Sequence, residues 1–226
     1  MEFWYETHMH TSEGSGCGRS TAAEQVKAYK QRGYQGVIIT DHFINGYSTC
    51  PSHKDISWEE KMKYVLSGYE AAKVAGQSVG LDVFLGWEFT IKGSDFLTYG
   101  LDWDFLINNP NLHRLDIKNY SELVRKNGGF LAQAHPYRSN PYIEYKFPVD
   151  AEYIDAVEVY NATEMGNSNQ KAHAFAKKHG LPVQAGSDSH STRNRLSSGI
   201  NLNFKAESIH DIIEAIKDKR VGLILP

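Results

Sequence analysis

Histidines and carboxylates recur at the ends of short strand-forming segments, and this recurrence constrains the fold more than any other feature of the chain. Phe3-Trp4-Tyr5, aromatic and suited to a pleated strand, runs into Glu6-Thr7-His8-Met9-His10-Thr11. Alternate residues of a strand share a face, so His8 and His10 project side by side and form half of a metal site. Gly36-Val37-Ile38-Ile39-Thr40 is a continuous apolar run, as in a strand buried on both faces, and it ends in Asp41-His42. Residues 81–90 set Glu88 between Trp87 and Phe89, where a carboxylate is costly unless a cation or charged partner compensates it. Phe130-Leu131-Ala132-Gln133-Ala134 ends at His135-Pro136, and the proline closes the ladder. Leu181-Pro182-Val183-Gln184-Ala185-Gly186 delivers Ser187-Asp188-Ser189-His190.

Helical segments separate most of these strands. A Thr21/Glu24 capping box starts a helix that runs to about Gly33. Further helices are expected over 58–76, 120–127, 168–179 and 208–219, with 103–119 irregular. Lys92-Gly93-Ser94 turns the chain back into an antiparallel partner over 95–102, residues 154–160 form another strand, and Val221-Gly222-Leu223-Ile224 finishes the chain. Such alternation argues for an α/β fold of parallel strands covered by helices, and 226 residues suit one barrel. We find no internal repeat, low-complexity segment or linker, so residues 1–226 are read as a single domain.

In such a barrel the strand ends converge, bringing His8, His10, His42, Glu88, His135, Asp188 and His190 to one face. Imidazole mixed with carboxylate suits zinc, manganese or iron rather than calcium. The ligands outnumber what one catalytic ion takes, so a cluster of two or three divalent ions is expected. In the glycine-rich loop over 12–20, Glu13 could reach back towards this face and Arg19 could serve an anion.

The net charge of −3 and the lack of a basic stripe argue against binding to a nucleic-acid polymer, while leaving room for a small phosphorylated substrate. Two cysteines, Cys17 and Cys50, make no disulfide framework and are read as reduced thiols. There is no run long enough to span a membrane and no secretory signal, so a soluble, cytoplasmic protein is expected. Nothing in the sequence fixes an oligomeric state.

H-M-H-T, T-D-H, G-W-E, A-H-P and G-S-D-S-H, in that order from His8 to His190, resemble the PHP superfamily, named for its polymerase and histidinol-phosphatase members. The resemblance implies a single distorted (β/α)7 barrel with a trinuclear metal centre that hydrolyses phosphoesters. It implies that His8, His10, Glu88 and Asp188 hold one ion, that Glu88 bridges to a second bound by His135, and that His42 and His190 hold a third. Asp95 stands where many members carry a histidine ligand. Glu13, ahead of Ser15, is the candidate for the acid or imidazole that members place just past the H-x-H pair.

The expected activity is phosphomonoester hydrolysis by a hydroxide bridging the ions, with Glu88, Asp188 and His190 acting through it. Arg138 and Arg19 are candidates to bind phosphate, Arg193 and Arg195 rank behind them, and Asp41 would orient ligands from behind. Two other readings are weighed. One is an amidohydrolase-like enzyme cleaving C–N bonds. The other is a non-catalytic binding barrel with a degenerate site, for which Asp95 is the support.

Overall fold

The computed structural model describes residues 2–51, 55–141, 143–144, 147–193 and 197–225. Its strands are β1 (Phe3–Met9), β2 (Gly36–Ile39), β3 (Asp82–Ile91), β4 (Ser94–Tyr99), β5 (Phe130–Gln133), β6 (Ala156–Asn161), β7 (Val183–Gly186), β8 (Gly199–Leu202) and β9 (Gly222–Ile224). The helices are α1 (Ala22–Gln31), α2 (Trp58–Val79), α3 (Trp103–Asn108), α4 (Ile117–Lys126), α5 (Ser168–His179) and α6 (Ile209–Lys217). Among the described residues these nine strands join one sheet in the order β7-β6-β5-β4-β3-β2-β1-β8-β9.

Strand direction fixes where the chemistry can sit. β1, β2 and β3 pair in parallel, as do β5, β6 and β7. β4 is antiparallel to both β3 and β5, so these six strands all run one way, while β4 and, beside β1, β8 run against them. The C-terminal ends of the six therefore share one rim with the N-terminal end of β4, where Asp95 lies. Beyond β7 the chain returns to β1: the His10 N–H donates to the Ser189 carbonyl at 2.9 Å and the Ser189 N–H to the His8 carbonyl at 3.4 Å. That contact nearly closes the sheet into a barrel at the rim. Further down, β1 pairs instead with β8, from Phe3 opposite Leu202 to Tyr5 opposite Ile200.

The α/β class and the barrel hold, but a strict seven-unit β/α count does not. β3 and β4 form a direct hairpin through Lys92 and Gly93, and β8 and β9 extend the sheet past β1. The strand β8 is absent from the sequence reading because Gly-Ile-Asn-Leu is too short to show a period. α4 begins at Ile117 rather than 120, because the Asp116 side chain accepts from the Asn119 N–H and caps it.

Apolar burial falls into three clusters. Phe43, Trp87, Phe89 and Phe96 pack beneath α2, α3 and α4. Tyr5, Leu97, Tyr99 and Phe130 meet Ile212, Ile213 and Ile216 of α6. Met9, Val26, Tyr29, Val37 and Ala72 join α1, α2 and the first two strands. Among the described residues, no helix is long and apolar enough to cross a membrane.

Candidate metal centre

At the rim the Glu88 carboxylate lies among four imidazoles. Its Oε1 is 3.2 Å from His8 Nε2 and 3.2 Å from His135 Nε2, and its Oε2 is 2.9 Å from His42 Nδ1 and 3.4 Å from His10 Nε2. Asp188 Oδ1 faces the same space, 3.5 Å from His8 Nε2 and 3.3 Å from His10 Nε2. Asp95 Oδ2 is 3.8 Å from His135 Nε2, and its other oxygen accepts from Thr90 Oγ1 at 2.6 Å. Four overlapping sets of potential ligands follow: His8, His10 and Asp188; His8, Glu88 and His135; His42, Glu88 and Asp95; and His10, Cys17, His42 and His190.

Three of the imidazoles are each held by a partner at Nδ1. Glu158, fully buried on β6, takes His8 Nδ1 at 2.9 Å, and an ionised carboxylate can only accept, so that nitrogen carries the proton. Ser15 Oγ donates to Asp41 at 2.7 Å, which makes it the acceptor for His10 Nδ1–H at 3.0 Å. His190 Nδ1 donates to the Asp188 carbonyl at 2.8 Å. His8 and His10 thus turn their Nε2 atoms towards each other at 3.2 Å, with the Glu88 and Asp188 carboxylates on either side. The donor set fits a divalent metal ion.

The titration behaviour follows from this crowding. Burial opposes charge on His8, but Asp188, Glu158 and Glu88 outweigh it and hold its pKa well above the usual value. Burial and the neighbouring His190 and His42 push His10 down to about 3. Burial would raise Glu88, yet His42 and His8 hold it well below the ordinary carboxylate range. Burial would also raise the Cys17 thiol, but hydrogen bonds with His190 and His42 bring it to about 7.

Backbone strain marks two of these positions. His135 has φ 27° and Asp188 φ 51°, a region non-glycine residues enter at a cost of about 1–3 kcal/mol. At His135 the cost is met by a buried hydrogen bond from its N–H to Glu158 Oε2 at 2.9 Å.

The structure brings together His8, His10, His42, Glu88, Asp95, His135, Asp188 and His190. Asp41 lies behind them, accepting from the Thr11 N–H, Thr11 Oγ1 and Ser15 Oγ, each at 2.7 Å. Arg138 reaches the centre: its Nη2 donates to Asp188 Oδ2 at 2.7 Å, its Nε to Glu164 at 2.6 Å, and its Nη1 lies 3.1 Å from His135 Nε2.

Glu13 is not brought in. Its carboxylate accepts from the Ala22 N–H at 3.0 and 3.1 Å and so serves the start of α1. Ser15, ranked behind it, is the residue that touches His10. Arg19 and Arg193 are exposed and do not line the cavity, and Arg195 lies outside the described residues.

Two contributors escaped the sequence reading. Glu158 in Val-Glu-Val carries the same signal as Glu88 in Trp-Glu-Phe, a carboxylate within an apolar strand. Cys17 lies in a glycine-rich loop, and only the fold sets it against His42 and His190. The centre opens into a cavity of about 430 Å³ lined by Cys17, His42, Tyr47, Glu88, Arg138 and Asp188, among others.

The PHP-associated sequence family matches residues 166–221. No curated protein matches the chain in sequence. Among solved structures it is similar to a two-domain protein from Bacteroides vulgatus containing a predicted PHP-like metal-dependent phosphoesterase, with 16% identity and a TM-score of 0.74 over all of this chain and 65% of that one. This chain therefore spans just under two thirds of that relative. It is similar also to the lesion-specific endonuclease PfuEndoQ from Pyrococcus furiosus (14% identity, TM-score 0.61, all of this chain and 58% of that one). A third likeness is to an amidohydrolase from Chromobacterium violaceum with bound sulfate and no metal (14% identity, TM-score 0.58, 96% of this chain and 97% of that one). At these identities the likeness is one of fold. The matched segment covers about a quarter of the chain, and it agrees with the resemblance that the motifs carry.

Proposed function

We propose that the protein is a metal-dependent phosphomonoesterase acting on a small phosphorylated substrate, with two or three divalent ions of zinc, manganese or iron. The observation that carries the reading is Glu88 among four imidazoles, with the Nε2 atoms of His8 and His10 3.2 Å apart beside it. Bound ions would acidify water and offset the charge that develops on the phosphoryl oxygens. His8, His10, Glu88 and Asp188 would hold one ion, Glu88 and His135 with Asp95 a second, and His42 with His190 a third.

The chain's own residues supply the rest. Arg138, fixed by Glu164 and by Thr163 Oγ1 at 2.8 Å, sets a guanidinium at the cavity wall, where it would pair with phosphate oxygens. Glu158, Ser15 and Asp41 hold the imidazole tautomers. The cavity volume suits a small ligand better than a polymer, and the net charge of −3 offers no stripe to displace counterions.

The amidohydrolase and endonuclease relatives set the arms of the test. Metal content is measured with phosphate release from a panel of phosphomonoesters, alongside an oligonucleotide and amide substrates, for wild type and Glu88→Ala. Two or three ions per chain, with phosphate release that Glu88→Ala abolishes, is the expected result. Bound metal with cleavage of amides or of the oligonucleotide alone would replace the reading by that activity. No bound ion under any loading condition would leave a binding barrel.

A further inference from the structure

We propose that Cys17 supplies a thiolate ligand to the ion position of His42 and His190, beside His10, making this a sulfur-bearing site that takes zinc in preference to manganese. The proposal rests on the metal-centre reading above and adds a ligand to it.

Geometry carries it. The sulfur and one ring nitrogen from each histidine all lie within 4.8 Å of one another. The His10 ring stacks on His190 with centroids 4.3 Å apart and tilts against His42 at 4.6 Å, so three imidazoles crowd the space that the thiol enters. A tetrahedral zinc with sulfur at about 2.3 Å and nitrogen at about 2.0–2.1 Å separates its ligands by roughly 3.3–3.7 Å, so contraction by about an ångström would close the set. His10 and His42 also belong to neighbouring sets, whereas Cys17 and His190 appear in this one alone.

The loop that carries the thiol is pinned on both sides. The Gly16 N–H donates to the Tyr47 carbonyl at 2.7 Å, the Gly18 N–H to the Ser15 carbonyl at 2.9 Å and the Arg19 N–H to the His190 carbonyl at 2.8 Å. Gly18 admits no side chain, because a Cβ there would run into the Thr11 carbonyl. The sulfur is therefore positioned by backbone contacts to the segment that supplies His190 itself. A thiolate is a softer donor than the carboxylate expected from Glu13, which is committed to α1. Soft sulfur with imidazole favours zinc over manganese, whereas carboxylate ligands suit manganese. Cys50, the other cysteine, belongs to none of the four sets and does not line the cavity, which makes it an internal control.

The test uses the full chain, stripped by chelator and titrated with cobalt(II), for wild type, Cys17→Ser and Cys50→Ser. Wild type and Cys50→Ser should show a near-ultraviolet thiolate-to-cobalt charge-transfer band that Cys17→Ser lacks. The zinc-over-manganese preference in competition should fall about tenfold or more in Cys17→Ser. Zinc loading of wild type should also slow iodoacetamide labelling of Cys17 at least about tenfold and leave Cys50 unchanged, a readout that needs no variant to fold. Cobalt bound with visible ligand-field bands but no charge-transfer band, and no zinc protection of Cys17, would overturn the thiolate proposal and leave the metal centre standing. Failure of wild type to bind cobalt or zinc at all would overturn the metal-centre reading itself.

Discussion

Glu158 shows how much of this centre depends on residues that would touch no ion. Its Oε1 takes the His8 Nδ1 proton at 2.9 Å, while its Oε2 accepts from the His135 N–H and from Asn161 Nδ2, each at 2.9 Å. One carboxylate thus sets a tautomer, anchors a strained backbone and spans two ligands. Glu158→Gln keeps an oxygen in place but loses the charge, and its amide N–H₂ competes for the same positions. We expect ion affinity to fall about 10–100-fold, measured by chelator competition, with the far-ultraviolet spectrum unchanged. An affinity within twofold of wild type would reduce Glu158 to a packing role. The residues that were legible in sequence are those whose position in a strand already signals cost or exposure. Glu88 between two aromatics and the H-x-H alternation are of that kind. Glu158 carried the signal but not the strand-end position, and Cys17 carried neither.

At the scale of elements, the helices that cover the barrel also set the rim. α1, α2 and α6 start with the reciprocal capping boxes Thr21/Glu24, Ser57/Glu60 and Ser208/Asp211, all local patterns that sequence alone displays. The hairpin was equally local. What sequence could not display is the approach of α2 to the first loop. A Cβ at Gly68 would strike the Asp41 carboxylate and the Thr11 hydroxyl, the pair joined by a 2.7 Å hydrogen bond. Glycine is required there by contact rather than by backbone conformation. Gly68→Ala should cost about 1–3 kcal/mol in urea unfolding, the range for overpacking a filled interior. It should also weaken ion binding, since Asp41 holds Ser15 and Ser15 holds His10. Helix propensity alone predicts the opposite sign, a gain of about 1 kcal/mol, so the measurement separates the two effects.

Across the whole molecule, the barrel seam and the metal centre share buried charge, and stability is linked to both. Divalent ions that bind the folded chain only should raise its stability by about 2.7 kcal/mol at a hundredfold excess over Kd for one site, so chelation should lower the melting temperature of the loaded protein. The seam adds a pH dependence of its own. Glu6 of β1 is fully buried and accepts from the Ser187 N–H at 2.9 Å, the His8 N–H at 2.9 Å and Ser187 Oγ, tying β1 to the segment after β7. Burial nevertheless raises its pKa from 4.5 to about 7, because the hydrogen bonds from Ser187 only partly offset desolvation. Between those values the folded chain holds a proton that the unfolded chain has released. The contribution of Glu6 is therefore fully present below the unfolded pKa and is lost as pH rises through about 7, a span worth about 3 kcal/mol. Glu6→Gln keeps an accepting oxygen and stays neutral throughout. Urea unfolding of the chelated proteins at pH 5 and pH 8 should show the variant gaining on wild type by a few kcal/mol at the higher pH. A difference that does not change with pH would mean that Glu6 stays ionised in the folded chain and that the seam is held by a charged carboxylate.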